Sequence, residues 1–292
     1  MFEKVMVATD LSKSSYALVD CLDSLKEFGT QEILLAQCLS MQEVTSAALS
    51  YSTVFMDSIL QEQKEMLEKK GFTVDTTILT GSVDNEINEI ADKDGYSVIV
   101  VGAENENLMK VRMFGSFAYD LIRYAQKPVL LIRLIENKKK DEEPIEAINC
   151  GVKDNILFAT DFSENAKFAF EHLKEIIAEG AKKITLVHVQ DESKIVPHLS
   201  DKLEKFNEID AKRLEDMKLE ISGDGEVEVD TVIRFGSPSV EILKLVEERN
   251  IKLVVMGSQG RGFVKQLFLG SVSNNVARRS NSSVLLIPAQ RE

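Results

Sequence analysis

Gly257, Gly260 and Gly270 have the residue type and spacing to hold an anion. They fall in Met256-Gly257-Ser258-Gln259-Gly260, nine further residues, then Gly270-Ser271-Val272. The run Leu253-Val254-Val255-Met256 before them reads as a buried strand, and the stretch after Ser271, with Val272, Val276, Ala277, Arg278 and Arg279, reads as a helix. One glycine pair therefore ends a strand and a third glycine opens a helix. Backbone N–H groups at a strand end and at the positive end of a helix dipole can converge on one negative charge. Glycine would let the backbone approach a phosphate closely and take positive φ, and the Ser271 hydroxyl adds a donor. Arg261 reads equally as a phosphate contact and as an exposed loop arginine.

The elements that must position these residues occur twice. Val5-Met6-Val7-Ala8-Thr9-Asp10 matches Ile156-Leu157-Phe158-Ala159-Thr160-Asp161, Ile33 to Cys38 matches Ile184 to Val189, and Val98 to Gly102 matches Leu253 to Gly257. Val129 to Arg133 likewise matches Val284 to Pro288. A two-copy repeat of this length predicts a duplicated domain. We place domain one at 1–136, a charged linker at 137–151 and domain two at 152–292. Each half has five short Val/Ile/Leu-rich runs, as strands buried on both faces do. The segments between them have helical spacing, as in Ala166, Ala169, Phe170, Leu173, Ile176 and Ile177. Ser237-Pro238 reads as a helix start with a hydroxyl cap. Alternating strands and helices predict an α/β fold, two tandem doubly wound domains with five-stranded parallel sheets. In such sheets ligands bind beyond the carboxyl ends of the strands, where strand order reverses. If strands one and four are neighbours, Asp161 and the glycine loop face one crevice. Asp161 alone would read as a turn or capping residue; the glycine motif tips it towards ligand contact.

The pattern G-x-x-G-(nine)-G-Ser, with Ala159-Thr160-Asp161-Phe162-Ser163 upstream and the internal repeat, resembles the nucleotide-binding signature of the universal stress protein family. The resemblance covers nearly all of both halves. It implies an adenine nucleotide α-hydrolase-like fold that binds ATP or AMP, with Mg2+ able to bridge the phosphates of ATP. It further implies Asp161 near the ribose and adenine, and Val189 holding adenine through its backbone with Ala159 nearby. Gly257, Gly260, Gly270, Ser271 and Val272 would cradle the phosphates, and Thr160, Met256 and Arg261 complete the set. Single-domain members dimerise through their last strands. Here Val129–Leu134 and Val284–Pro288 would pair within one chain as a pseudo-dimer, with a homodimer of chains and an unidentified protein partner left open.

The first half departs from the pattern. Asp10, Cys38, Gly102, Gly115 and Ser116 hold their places, but Asn105 stands where the second glycine belongs. Glu104 and Glu106 would set carboxylates beside the phosphates, where like charges repel. The first site is expected to have lost triphosphate binding or to take a less charged ligand such as AMP.

A formal net charge of −13 without a basic tract argues against nucleic acid. No apolar run approaches the ~20 residues of a membrane span, and Met1-Phe2-Glu3-Lys4 leads straight into a strand, so a cytoplasmic protein is expected. Cys21, Cys38 and Cys150 suggest neither a disulfide framework nor a metal site; Cys21 and Cys38 read as packing residues. There is no P-loop, no Gly-x-Ser-x-Gly elbow and no His-Glu-x-x-His, so no catalytic residue is assigned. His188 reads as a satisfied core residue. The resulting expectation is an ATP- or AMP-binding protein of stress response or signalling, in which the nucleotide biases conformation or partner binding. The alternatives are a slow ATPase and a nucleotide-independent interaction module.

Overall fold

The computed structural model describes residues 1–9, 13–38, 49–79, 83–104, 116–136, 145–148, 150, 153–195, 202–223, 226–260 and 269–290. The chain divides into two compact units, Met1–Cys150 and Gly151–Glu292. Among the described residues no helix is long and apolar enough to cross a membrane.

In the first unit, β1 (Lys4–Thr9), β2 (Glu32–Cys38), β3 (Thr73–Leu79), β4 (Val98–Glu104) and β5 (Val129–Glu136) form a parallel sheet in the order β3-β2-β1-β4-β5. The helices are α1 (Lys13–Cys21), α2 (Leu49–Lys69), α3 (Val83–Lys93) and α4 (Ser116–Tyr124). Leu18, Cys21, Leu22 and Leu25 are buried on one apolar face with Ala17 half-buried beside them, and the face is split between α1 and a tighter 3-10 segment, Leu22–Phe28. A sixth strand, β6 (Ile145–Ile148), joins the edge of β5 in antiparallel register, with Glu136 opposite Ile145. It comes from the segment expected as a linker, because four residues behind a charged run carry too little periodicity to read as a strand.

Cys21 is buried, as a packing residue would be, but it is disulfide-bonded to Cys150, 129 residues away, with the Cα atoms 5.5 Å apart. The return of β6 against α1 brings the two within the span a disulfide requires.

In the second unit, β7 (Ile156–Ala159), β8 (Lys183–Asp191), β9 (Glu228–Gly236), β10 (Leu253–Gly257) and β11 (Ser283–Ile287) are also all parallel, in the order β9-β8-β7-β10-β11. β7 and β10 are fully buried, as their apolar runs demand. The order reverses between β7 and β10, so the chain segments leaving these two strands diverge and open a crevice between them. The helices are α5 (Glu164–Ala178), the single turn α6 (Glu192–Ile195), α7 (Leu203–Ser222), α8 (Pro238–Glu248) and α9 (Ser271–Arg279). α5 packs against β10 and β11, and α7 against β8 and β9. Pro238 begins α8 as expected, although the Ser237 side chain makes no capping bond.

Candidate functional site

A cleft of about 840 Å3 lies at the switch point of the second unit. Ala159, Thr160, Asp161, Val189, Met256, Gly257, Gly260, Gly270, Ser271 and Val272 all line it. Arg261 lies outside the described residues. In the first unit, Asp10 and Gly115 also lie outside them, as do Asn105 and Glu106. Of the rest, Cys38 ends β2, Gly102 lies in β4 opposite Ile132, and Ser116 opens α4.

The three motif glycines of the second unit serve space rather than handedness. None of Gly257, Gly260 and Gly270 has positive φ, which corrects that part of the expectation; Gly270 sits at −60°. A Cβ on Gly257 would stand 2.6 Å from Asn165 Oδ1, one on Gly260 2.8 Å from Asp161 Oδ2, and one on Gly270 3.2 Å from the Ser258 carbonyl oxygen. The last site also lies 3.6 Å from Gly260 N, so the glycine loop and the start of α9 are in contact.

Hydrogen bonds decide which backbone donors remain for a ligand. Ser258 N–H is bound to Ile287 O (2.8 Å), Gln259 N–H to Asn165 Oδ1 (2.9 Å) and Gly270 N–H to Ser258 O (2.7 Å). Gly260 N–H has no acceptor among the described residues. In α9 the first helical bond is Asn274 N–H to Gly270 O, and Gly270 offers no side-chain cap. Among the described residues, the N–H groups of Ser271, Val272 and Ser273 therefore have no acceptor, as at the open start of a helix. The Ser273 hydroxyl faces inward and donates to Gly257 O (2.8 Å).

Asp161 makes the turn weighed from sequence and also lines the cleft. Its Oδ1 accepts Ser163 N–H (3.0 Å), forming the turn into α5, while Oδ2 faces Gly260. Ser163 caps α5 by accepting Ala166 N–H (3.2 Å). Phe162 between them takes φ of 59°, rare for a bulky residue, and its ring is held between His188 (4.6 Å) and the Arg213 guanidinium (5.1 Å).

The other end of the cleft is shaped by the early end of β7. Thr160 N–H donates to Val187 O (2.9 Å). Two residues on in a parallel ladder, the Val189 N–H and C=O point to the same side, where β7 has already ended.

Sequence reasoning missed the wall from α7. Phe206, Asp210 and Arg213 line the cleft at one-turn spacing, and Asp210 is only 8% exposed. It accepts from Gln190 Nε2 (3.0 Å) and lies 3.5 Å from His188 Nε2 and 3.6 Å from Arg213. His188 Nδ1 faces Thr160 O at 2.8 Å; a carbonyl only accepts, so Nδ1 carries the hydrogen. His188 is thus buried and satisfied as expected, while also lining the cleft. Asp210, buried on this helix together with Leu214 and Ile221, was the one available signal for this wall.

The model of the universal stress protein family matches residues 1–133 and again 153–288. A universal stress protein of Methanocaldococcus jannaschii is 34% identical over 151 residues, 45% of this chain and 93% of that protein. The crystal structure of a universal stress protein from Archaeoglobus fulgidus matches over 99% of both chains with a TM-score of 0.74; at 24% identity the likeness is one of fold. A functionally unknown protein from Pseudomonas aeruginosa shares the fold at a TM-score of 0.64 and 15% identity, over 98% of this chain and 92% of its own. With its model matched twice along the sequence, the chain belongs to the universal stress protein family and carries that domain in tandem.

Proposed function

We propose that the second unit binds an adenine nucleotide, ATP or AMP, and that occupancy of its cleft governs conformation or partner binding in a cytoplasmic stress-response or signalling role. The observation that carries this reading is the meeting of uncommitted donors. Gly260 N–H and the first turn of α9 open on one cleft, which suits a phosphate chain. In this reading Gly260, Ser271 and Val272 receive the phosphates and Asp161 lies beside the ribose. Val189 offers the base an adjacent donor and acceptor, the complement of an adenine amine and its neighbouring ring nitrogen. The cleft volume is within the range that encloses a ligand of nucleotide size. Asp161 beside the phosphate loop would repel a bare triphosphate, so Mg2+ is expected to strengthen ATP binding more than AMP binding.

Calorimetric titration of nucleotide-free protein with ATP and Mg2+ tests the reading. One nucleotide per chain is expected, lost in Gly270→Ala, whose methyl would press on backbone at 3.2 and 3.4 Å. Two per chain would show that the first unit also binds. Folded protein that binds neither ATP nor AMP would overturn the proposal.

A further inference from the structure

We infer that Asn165 is the positioning residue of the phosphate loop: its side-chain amide fixes the Gly257–Gly260 turn and so selects which N–H groups face the nucleotide. The inference rests on the nucleotide reading of the cleft. Asn165 is the second residue of α5 and is 9% exposed. It is absent from the cleft lining, so it acts through the loop and not by touching a ligand.

Its two polar atoms are each used once. Oδ1 accepts Gln259 N–H at 2.9 Å, and Nδ2 donates to Ile287 O at 3.2 Å, the same carbonyl that accepts Ser258 N–H at 2.8 Å. A flipped amide would set oxygen against oxygen and NH2 against N–H, so only one orientation satisfies both neighbours. One side chain thereby joins the start of α5, the end of β10 and the end of β11. It also accounts for the glycine at 257, since a Cβ there would stand 2.6 Å from Oδ1.

The consequence is a division of labour along the loop. Ser258 and Gln259 give their N–H groups to the protein, and Gly260 is the first residue whose N–H has no acceptor among the described residues. Without the Asn165 oxygen, the Gln259 N–H must find another acceptor. Turning it towards the cleft would rotate the next peptide and carry the Gly260 donor away from the start of α9. The base end of the cleft, built on β8 and α7, is separate from this turn.

This separation sets the test. ATP and adenosine affinities are measured by calorimetry for the unaltered protein, Asn165→Ala and the isosteric Asn165→Asp, with melting temperatures to confirm folding. Asn165→Ala is expected to weaken ATP about tenfold, the size of effect that follows from orphaning one half-buried donor, with adenosine unchanged. Asn165→Asp keeps the acceptor for Gln259 but turns an oxygen on Ile287 O and brings a charge to the loop, so it should weaken ATP at least as much and again spare adenosine. Equal losses for both ligands would reduce Asn165 to a general structural residue and overturn the inference, as would unchanged ATP binding in both variants. If the unaltered protein binds adenosine and ATP equally well, the phosphate reading itself fails first.

Discussion

At the scale of single residues, the glycines illustrate how one sequence motif can conceal different physical causes. Gly257 is crowded by an amide bonded to backbone at both its polar atoms and by the Asn165 carbonyl carbon at 3.3 Å, whereas Gly260 is crowded by the end of a carboxylate alone. Gly257→Ala should therefore act as overpacking and cost about 1–3 kcal/mol of second-unit stability, read from urea unfolding. In Gly260→Ala the methyl would meet side-chain atoms only, with no backbone of the described residues within 4 Å, so stability should change less while ATP affinity falls. The reverse ordering of the two stability losses would show that Asn165 is not what excludes a side chain at 257. Removing the obstacle offers a sharper check. Combining Gly257→Ala with Asn165→Ala should cost less than the sum of the two changes, because the methyl then gains the space the amide vacates.

At the scale of elements, α5 carries the loop contact at its first turn and a half-buried imidazole on its body. His172 packs edge-on to Phe168 at 4.9 Å, and its Nδ1 lies 3.6 Å from Glu175, beyond hydrogen-bond range. Burial holds its pKa below the ordinary value, outweighing the pull of the Glu175 carboxylate in the other direction. The unfolded chain therefore takes up the proton first. The stability linked to His172 is fully present above about pH 6.5 and is lost as pH falls towards the folded value. Melting of the second unit should thus weaken as pH falls below about 6.5, and His172→Gln should flatten that slope. An unchanged slope would rule out His172 as its source. The same helix shows what a sequence discloses. Its apolar face at Ala166, Ala169, Phe170 and Leu173 was legible because it repeats locally. Asn165 was not, because its partners lie 94 and 122 residues away and nothing in its neighbourhood marks it. Likewise the strand runs at 253–257 and 283–287 announced themselves by composition. The α7 wall with Asp210 emerges only when β8 and α7 are packed together.

At the scale of the whole molecule, duplication explains why the fold was legible, since each half repeats the same five apolar runs and two partial signals reinforce one another. It also explains what was hidden: features that belong to one copy only have no second instance to expose them. The Cys21–Cys150 bond is such a feature, tying the last residue of α1 to the residue two places beyond β6 across a separation of 129. Cross-linking a loop of that length removes chain entropy from the unfolded state, worth about 5 kcal/mol in the chain-entropy model. A reducing cytoplasm would hold the two cysteines as thiols and withdraw that contribution. Two measurements follow from the bond's confinement to the first unit. Protein unfolded without reductant should titrate with one thiol, Cys38, and with all three after reduction. In calorimetry, Cys150→Ser or added reductant should lower the melting of the first unit while leaving in place any transition that ATP raises in the second. Three thiols titrating before reduction would show that the cysteines are not bonded in solution. A drop in the ATP-responsive transition would show that the two units do not unfold independently.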